Sequence, residues 1–414
     1  MNLPLRTALL LLAPVAPIAA GPPDWPQWGG PNRDFTCPDV RLSGKWPESG
    51  PQLKWLRPLG EGYSDIVAAD GRLYTMYRDG DHEVVVCMST ETGTDIWTHR
   101  YPAPIETADH PSGYGFGPRS TPAISGDRLY AVGFTGILHC LDRNNGDVIW
   151  KTDLLDRFNG NRCRWGYACS PLIQNGKLFL FVGGPGASVI ALDPARGTVI
   201  WKRHNYENSY ASPKVIEVAG RAQLVCFMAR EVCGLEPTTG DLLWTYPHEN
   251  QWRNNICDPV AGADGLLFTS SEGHGGSRVI RLPPSGGKAV PEQIWETRKI
   301  RISHRNAICV GDYIYCSSGD FGPAFMTAVN MRTGEIAWRE RGFAEAALLC
   351  VGRHLLILDE NGILALATAT PKSLTVHSRT KVLDEPAWTI PTLIGNTVFL
   401  RDRKVAKALI LPVD

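Results

Sequence analysis

Arg119, then Arg164, Trp165 and Tyr167, then Tyr210, Asn254 and Asn255, and finally His304 and Arg305 each stand just ahead of an apolar, alternating segment. A guanidinium plane pairs bidentately with carboxylates or stacks on rings, and tyrosine adds rigid contact area with a hydroxyl. Such a set suits a polar ligand with flat or ring-shaped faces, and peptides, sugars and quinones all qualify. Solvated loops show a similar composition. These nine residues are the candidate binding positions.

Other chemistries find less support. The eleven cysteines are odd in number, so they cannot all pair, and seven (Cys87, Cys140, Cys226, Cys233, Cys309, Cys316, Cys350) lie in apolar segments as small buried hydrophobes. Cys163 and Cys169 bracket one loop and are close enough in sequence to bridge. There is no CxxC pair, no HExxH and no nucleophile elbow, and no metal site is expected. GPGAS (184–188) and SGGK (285–288) fall in hairpin turns, without the strand-to-helix step that cradles phosphate. Glu272 and His274 in SEGHGG belong to a further hairpin. The 42 basic and 42 acidic side chains cancel, which removes the electrostatic footprint of a nucleic-acid binder.

Residues 1–20 combine Arg6, an apolar stretch and small residues at Ala19 and Ala20, the plan of a secretory signal peptide. Pro14 and Pro17 interrupt a run already shorter than the roughly 20 residues of a spanning helix. The expectation is an exported chain, periplasmic or extracellular and monomeric, with no transmembrane segment once processed. Residues 21–51 form an N-terminal extension and 52–414 the folded body.

The elements that position the candidate residues come from a repeat. A turn of the form Asp-x-x-x-Gly-x-x-x-Trp, with variation, ends at Trp97, Trp150, Trp201, Trp244 and Trp338. A degraded copy ends at Trp295, and Trp55 stands alone upstream. The intervals are roughly 40–55 residues, the period of a propeller blade. Within each interval, segments of period two are separated by NG, GD and TG turns, which gives four short antiparallel strands. Six units end in Trp, a seventh keeps the strands without it, and the tail supplies three strands. Trp55 marks the missing fourth, so the all-β fold is an eight-bladed propeller closed by an N-terminal strand, with seven blades as the alternative. The seven tryptophans read as inter-blade packing.

That hairpin resembles the tryptophan-docking motif of the pyrroloquinoline quinone (PQQ) repeat, in the superfamily of quinoprotein dehydrogenases and BamB-like propellers. DWPQWGGPNRD (24–34), GYGFGPRSTPAI (113–124), WGYACSPL (165–172) and WTIPTLIGNTVFLRD (388–402) are similar to an exported PQQ-binding-like group. The resemblance implies PQQ with calcium as a possible cofactor. Glu61, Asn254, Asn255 and Asp258 are then the candidate calcium oxygens, Trp165 or Trp252 the floor, and Arg119, Arg164 or Arg305 the arginine at the quinone. The adjacent cysteines usual in cofactor-bearing quinoproteins are missing, so no cofactor is expected. The leading expectation is a non-catalytic scaffold for a protein, peptide or glycan. A PQQ-dependent or other redox enzyme, or a polysaccharide hydrolase or lyase, is the alternative.

Overall fold

The computed structural model describes residues 24–38, 40–105, 112–284, 290–319 and 322–414. The signal-peptide assignment and the SGGK turn lie outside them. Eight antiparallel sheets form a ring, spanning residues 67–102, 123–153, 172–203, 214–247, 260–297, 307–340 and 346–381, with 392–410 joined by Gln52–Pro58. These are blades one to eight. Trp55 lies opposite Ala408 on the outer strand of blade eight, so the closure read from the orphan tryptophan holds.

Each outer strand that bears a tryptophan carries a bulge close to it, for example between Val148 and Trp150. The bulge re-aims the ring toward the next blade. There the indole N–H donates to a carbonyl: Trp55 to Thr90, Trp97 to Arg143, Trp150 to Pro194, Trp201 to Pro237, Trp295 to Met331 and Trp338 to Thr370, at 2.8–3.1 Å. In all of these but Trp338 the turn glycine of the receiving hairpin lies flat on the ring. A Cβ on Gly146 would sit 2.6 Å from Trp97, and the φ of that glycine is +80°. The motif thus needs Gly for closeness and for backbone conformation together.

Trp244 departs from the pattern. It donates to Gln223 in its own blade at 2.6 Å, because the residue opposite it, Gly234, has no Cβ to hold the indole off. It is structural, but not as an inter-blade dock.

The extension is part of the fold. Trp25 bridges Ala68 in blade one, Pro26 accepts the N–H of Ile124 in blade two, and Arg33 donates to Pro171 O beside blade three at 3.0 Å. Trp28 Nε1 donates to Asp258 beside blade five at 2.7 Å, and Thr36–Cys37 adds a fifth, parallel strand to blade seven. Residues 24–38 therefore cross the central channel and are anchored to inner strands on opposite sides of it. The turn at Gly29 and Gly30, with φ of +74° and +78°, makes the fold-back possible. A Cβ on Gly30 would meet the Trp25 ring at 2.7 Å. None of the eleven cysteines is disulfide-bonded.

Candidate functional site

The residue just before each inner strand sets the geometry of the mouth. Asp65 N–H donates to Thr121 Oγ1, Thr121 N–H to Ser170 Oγ, Ser170 N–H to Ser212 Oγ, and Ser212 N–H to Asp258 Oδ1, at 2.7–3.0 Å. Ile390 N–H closes the sequence onto Asp65 Oδ1 at 3.1 Å, and Asn306 bonds both backbone groups of Leu348. A girdle of side-chain acceptors thus links neighbouring blades. Small hydroxyl and carboxylate residues recur there because each must satisfy one buried amide of the adjoining blade.

Above the girdle lies a cavity of about 690 Å³, walled by the loops that enter the inner strands. Trp28 and Phe35 of the channel-filling segment form part of its lining, so the cavity is a cup with a base supplied by the N-terminal extension. Around one side the rings are contiguous. Tyr63 stacks on Trp388 (4.8 Å between centroids, 24° between planes), Trp388 approaches His304 at 4.6 Å, and Tyr114 lies 5.2 Å from Trp388 and 4.9 Å from Trp165. Trp252 and Tyr114 are 43% and 46% exposed.

Of the nine candidate positions, Arg119, Arg164, Trp165, Tyr210, Asn254, His304 and Arg305 line this cup. Two do not. Tyr167 is buried and its hydroxyl donates to Phe181 O. Asn255 is fully buried, with Nδ2 donating to Met228 O and His248 O and Oδ1 accepting from Asn250. Both loops alternate in and out over neighbouring residues without a period that the sequence displays. Trp28, Phe35, Asp65 and Glu360 also line the cup and escaped the sequence reading. Only the tryptophan-rich DWPQW string signalled the first of them.

Arg119 donates to Trp165 O at 2.6 Å and Gly115 O at 3.1 Å, and lies over the Tyr63 ring. Arg164 lies over the Trp165 ring at 5.4 Å. Arg305 donates to Ala387 O and stands 3.8 Å from Glu345 and 3.7 Å from Glu360. His304, Glu345 and Glu360 bring potential ligand atoms within 4.8 Å of one another. The Arg305 cation sits against both carboxylates and makes the group an internal ion-pair cluster.

The candidate calcium oxygens do not converge. Glu61 is taken by Arg403 and Phe116 N–H; burial pushes its carboxyl up, yet those two partners bring it below its ordinary value. Asn255 is enclosed as described, and Asp258 is held by Trp28 and Ser212. With three of the four engaged, these residues do not fit a six- to eight-oxygen calcium shell.

Buried histidines give the molecule an acid limit. Burial, with His99 and Lys151 nearby, pushes His139 down to about 3, and burial lowers His248 and His304 well below the ordinary value. On acidification the unfolded chain takes up these protons first. The stability contribution of His139 is therefore complete above about pH 6.5 and is lost as the pH falls toward 3. Each such histidine adds a slope of up to about 1.4 kcal/mol per pH unit. His139→Phe should flatten the acid limb of a stability–pH curve measured by urea titration; an unchanged slope refutes the assignment.

A closed ring of eight blades with docked tryptophans and an aromatic cup at its mouth defines a PQQ-repeat propeller. The family model described as outer membrane protein assembly factor BamB matches residues 81–340, and the chain belongs to that family. It is 22% identical over 254 residues to the outer membrane protein assembly factor BamB of Shewanella oneidensis, covering 59% of this chain and 62% of that relative's length. The structure of BamB from Moraxella catarrhalis superposes with a TM-score of 0.57 at 16% identity, over 85% of this chain and 97% of that one. Quinohemoprotein alcohol dehydrogenase from Comamonas testosteroni gives 0.65 at 13%, over 95% and 81%. At these identities the likeness is one of fold. No helix among the described residues is long and apolar enough to cross a membrane.

Proposed function

We propose that the protein is an exported, non-catalytic binding propeller that holds a partner molecule (a protein segment, peptide or glycan) in the cup at the channel mouth. The observation that carries this reading is the cup itself, with aromatic walls and a base supplied by the chain's own N-terminal segment. The cluster of Arg305 with His304, Glu345 and Glu360 keeps the wall rigid, and rigid walls lower the ordering cost of association. Assembly-factor relatives support a scaffold role, and the assignment of export rests on the N-terminal sequence.

Binding of a peptide and oligosaccharide panel, followed by tryptophan fluorescence, tests this. The ligand that binds should lose about tenfold in affinity or more on Trp252→Ala, since a rigid aromatic contact contributes about 1.4 kcal/mol or above. Ile149→Ser on the outer rim, where Ile149 is 43% exposed, should leave affinity unchanged. The reverse pattern moves the site to the blade rims.

A further inference from the structure

We infer that the outer rim between blades five and six is a second docking surface, which takes an extended acidic segment of a partner protein as an added strand on blade six. This surface is separate from the cup and stands whether or not the cup is occupied.

The charges come first. Arg339 and Arg341 both lie over the ring of Phe325, at 4.1 and 5.3 Å from its centroid. One ring thus holds two like charges side by side. Neither forms an ion pair among the described residues, whereas Arg278 and Arg281 of blade five and Arg332 of blade six all do.

Three further cations belong to the same cleft. Thr327 is opposite both Cys316 and Arg339 in register, so the three share one face of blade six. Cys316 packs there with Ile300 and Ile302 of the loop that enters the blade. On that loop Arg298 and Lys299 are exposed and Arg301 is half-buried, and none of them is ion-paired among the described residues. Five cations therefore flank one cleft in a chain whose formal charge is zero. An anionic partner relieves their mutual repulsion, and guanidinium planes receive carboxylates bidentately.

The backbone decides which kind of anion. The outer strand of blade six, Ile336–Glu340, pairs with Phe325–Asn330 and has no strand on its other side. Such an edge accepts one more strand. On blade seven the corresponding edge is covered, since Trp46 N–H donates to Ser378 Oγ and Ser378 Oγ donates to Gly44 O. Arg339 and Arg341 are two positions apart, so they meet alternate side chains of an added strand on one face. A polypeptide with Glu or Asp at every second position satisfies both demands, amides for the edge and carboxylates for the arginines. An acidic polysaccharide brings carboxylates without the amide ladder.

The test uses the full chain and a fluorescein-labelled decapeptide alternating Glu with Thr, read by fluorescence anisotropy. The peptide should bind, and more weakly as salt rises. Its Gln-for-Glu counterpart and a fully N-methylated copy should each lose about tenfold or more in affinity. Arg339→Ala with Arg341→Ala should weaken the Glu peptide by a similar factor and leave the urea unfolding transition in place, because both side chains are exposed. Arg339→Glu with Arg341→Glu should instead bind a decapeptide alternating Lys with Thr, a reversal that loss of fold cannot produce. Equal binding of the N-methylated copy, or of an oligogalacturonate, overturns pairing at the edge. Binding of the Glu peptide indifferent to the two arginines puts it elsewhere, the cup included, and overturns the surface. No binding of the Glu peptide overturns the partner class.

Discussion

A chain in which residues 52–58 are replaced by an equally long glycine–serine stretch should lose its cooperative unfolding transition. That strand makes six register pairs with Val405–Ile410, and its Trp55 docks on blade one at Thr90 O. Loss of a buried tryptophan alone costs about 3–5 kcal/mol, against a total domain stability of about 5–15 kcal/mol. The replacement also leaves an unpaired edge on blade eight, and a bare edge recruits other chains. Calorimetry should show a broad, weak transition with concentration-dependent aggregation. A sharp transition at the original temperature would refute closure by this strand.

Arg401→Met should be the most destabilising single substitution in the ring. The side chain is 1% exposed, and its guanidinium donates to Ser64 O, Thr75 Oγ1 and Met76 O through Nη1 and to Gly62 O through Nη2, at 2.7–3.0 Å. These bonds tie blade eight to blade one at the seam where the chain closes. Methionine fills much of the volume but abandons buried acceptors and leaves Asp65 with Arg305 alone of its two nearby cations. The expected loss is about 3–5 kcal/mol. It should appear as a lower guanidinium midpoint with an unchanged denaturant slope. A loss below about 1 kcal/mol would show that the acceptors find other donors.

The blades were legible because their signals are local and repeated. A turn glycine and a tryptophan four residues later report the outer hairpin of a blade wherever they occur, and period-two alternation supplies the strands around them. The cup was legible in part, since residues at one register in successive blades converge on the axis. Tyr167 and Asn255 show the limit: a loop of four residues has no period to say which side chain turns inward. The channel-filling segment was illegible for a different reason. Its partners, Ala68, Pro171, Asp258 and Cys350, are scattered over the whole chain, and a Pro/Gly-rich string carries no pattern naming contacts at such range. Arg401 is similar, because nothing local distinguishes a buried bolt from the half-buried Arg403 two positions on.

The segment that fills the channel and the strand that seals the ring lie in one stretch, between Trp25 and Pro58. The sealing strand pairs with the last strand of the propeller, so it must wait for Val405–Ile410 before it can set, whereas the channel segment meets its partners in blades one to seven. Before the seam shuts the cup lacks its final wall, since Trp388 stands on the segment that enters blade eight. Ligand competence should therefore appear in one step at the very end of folding, simultaneous with the gain of slow amide exchange at Ile390, whose N–H crosses the seam to Asp65.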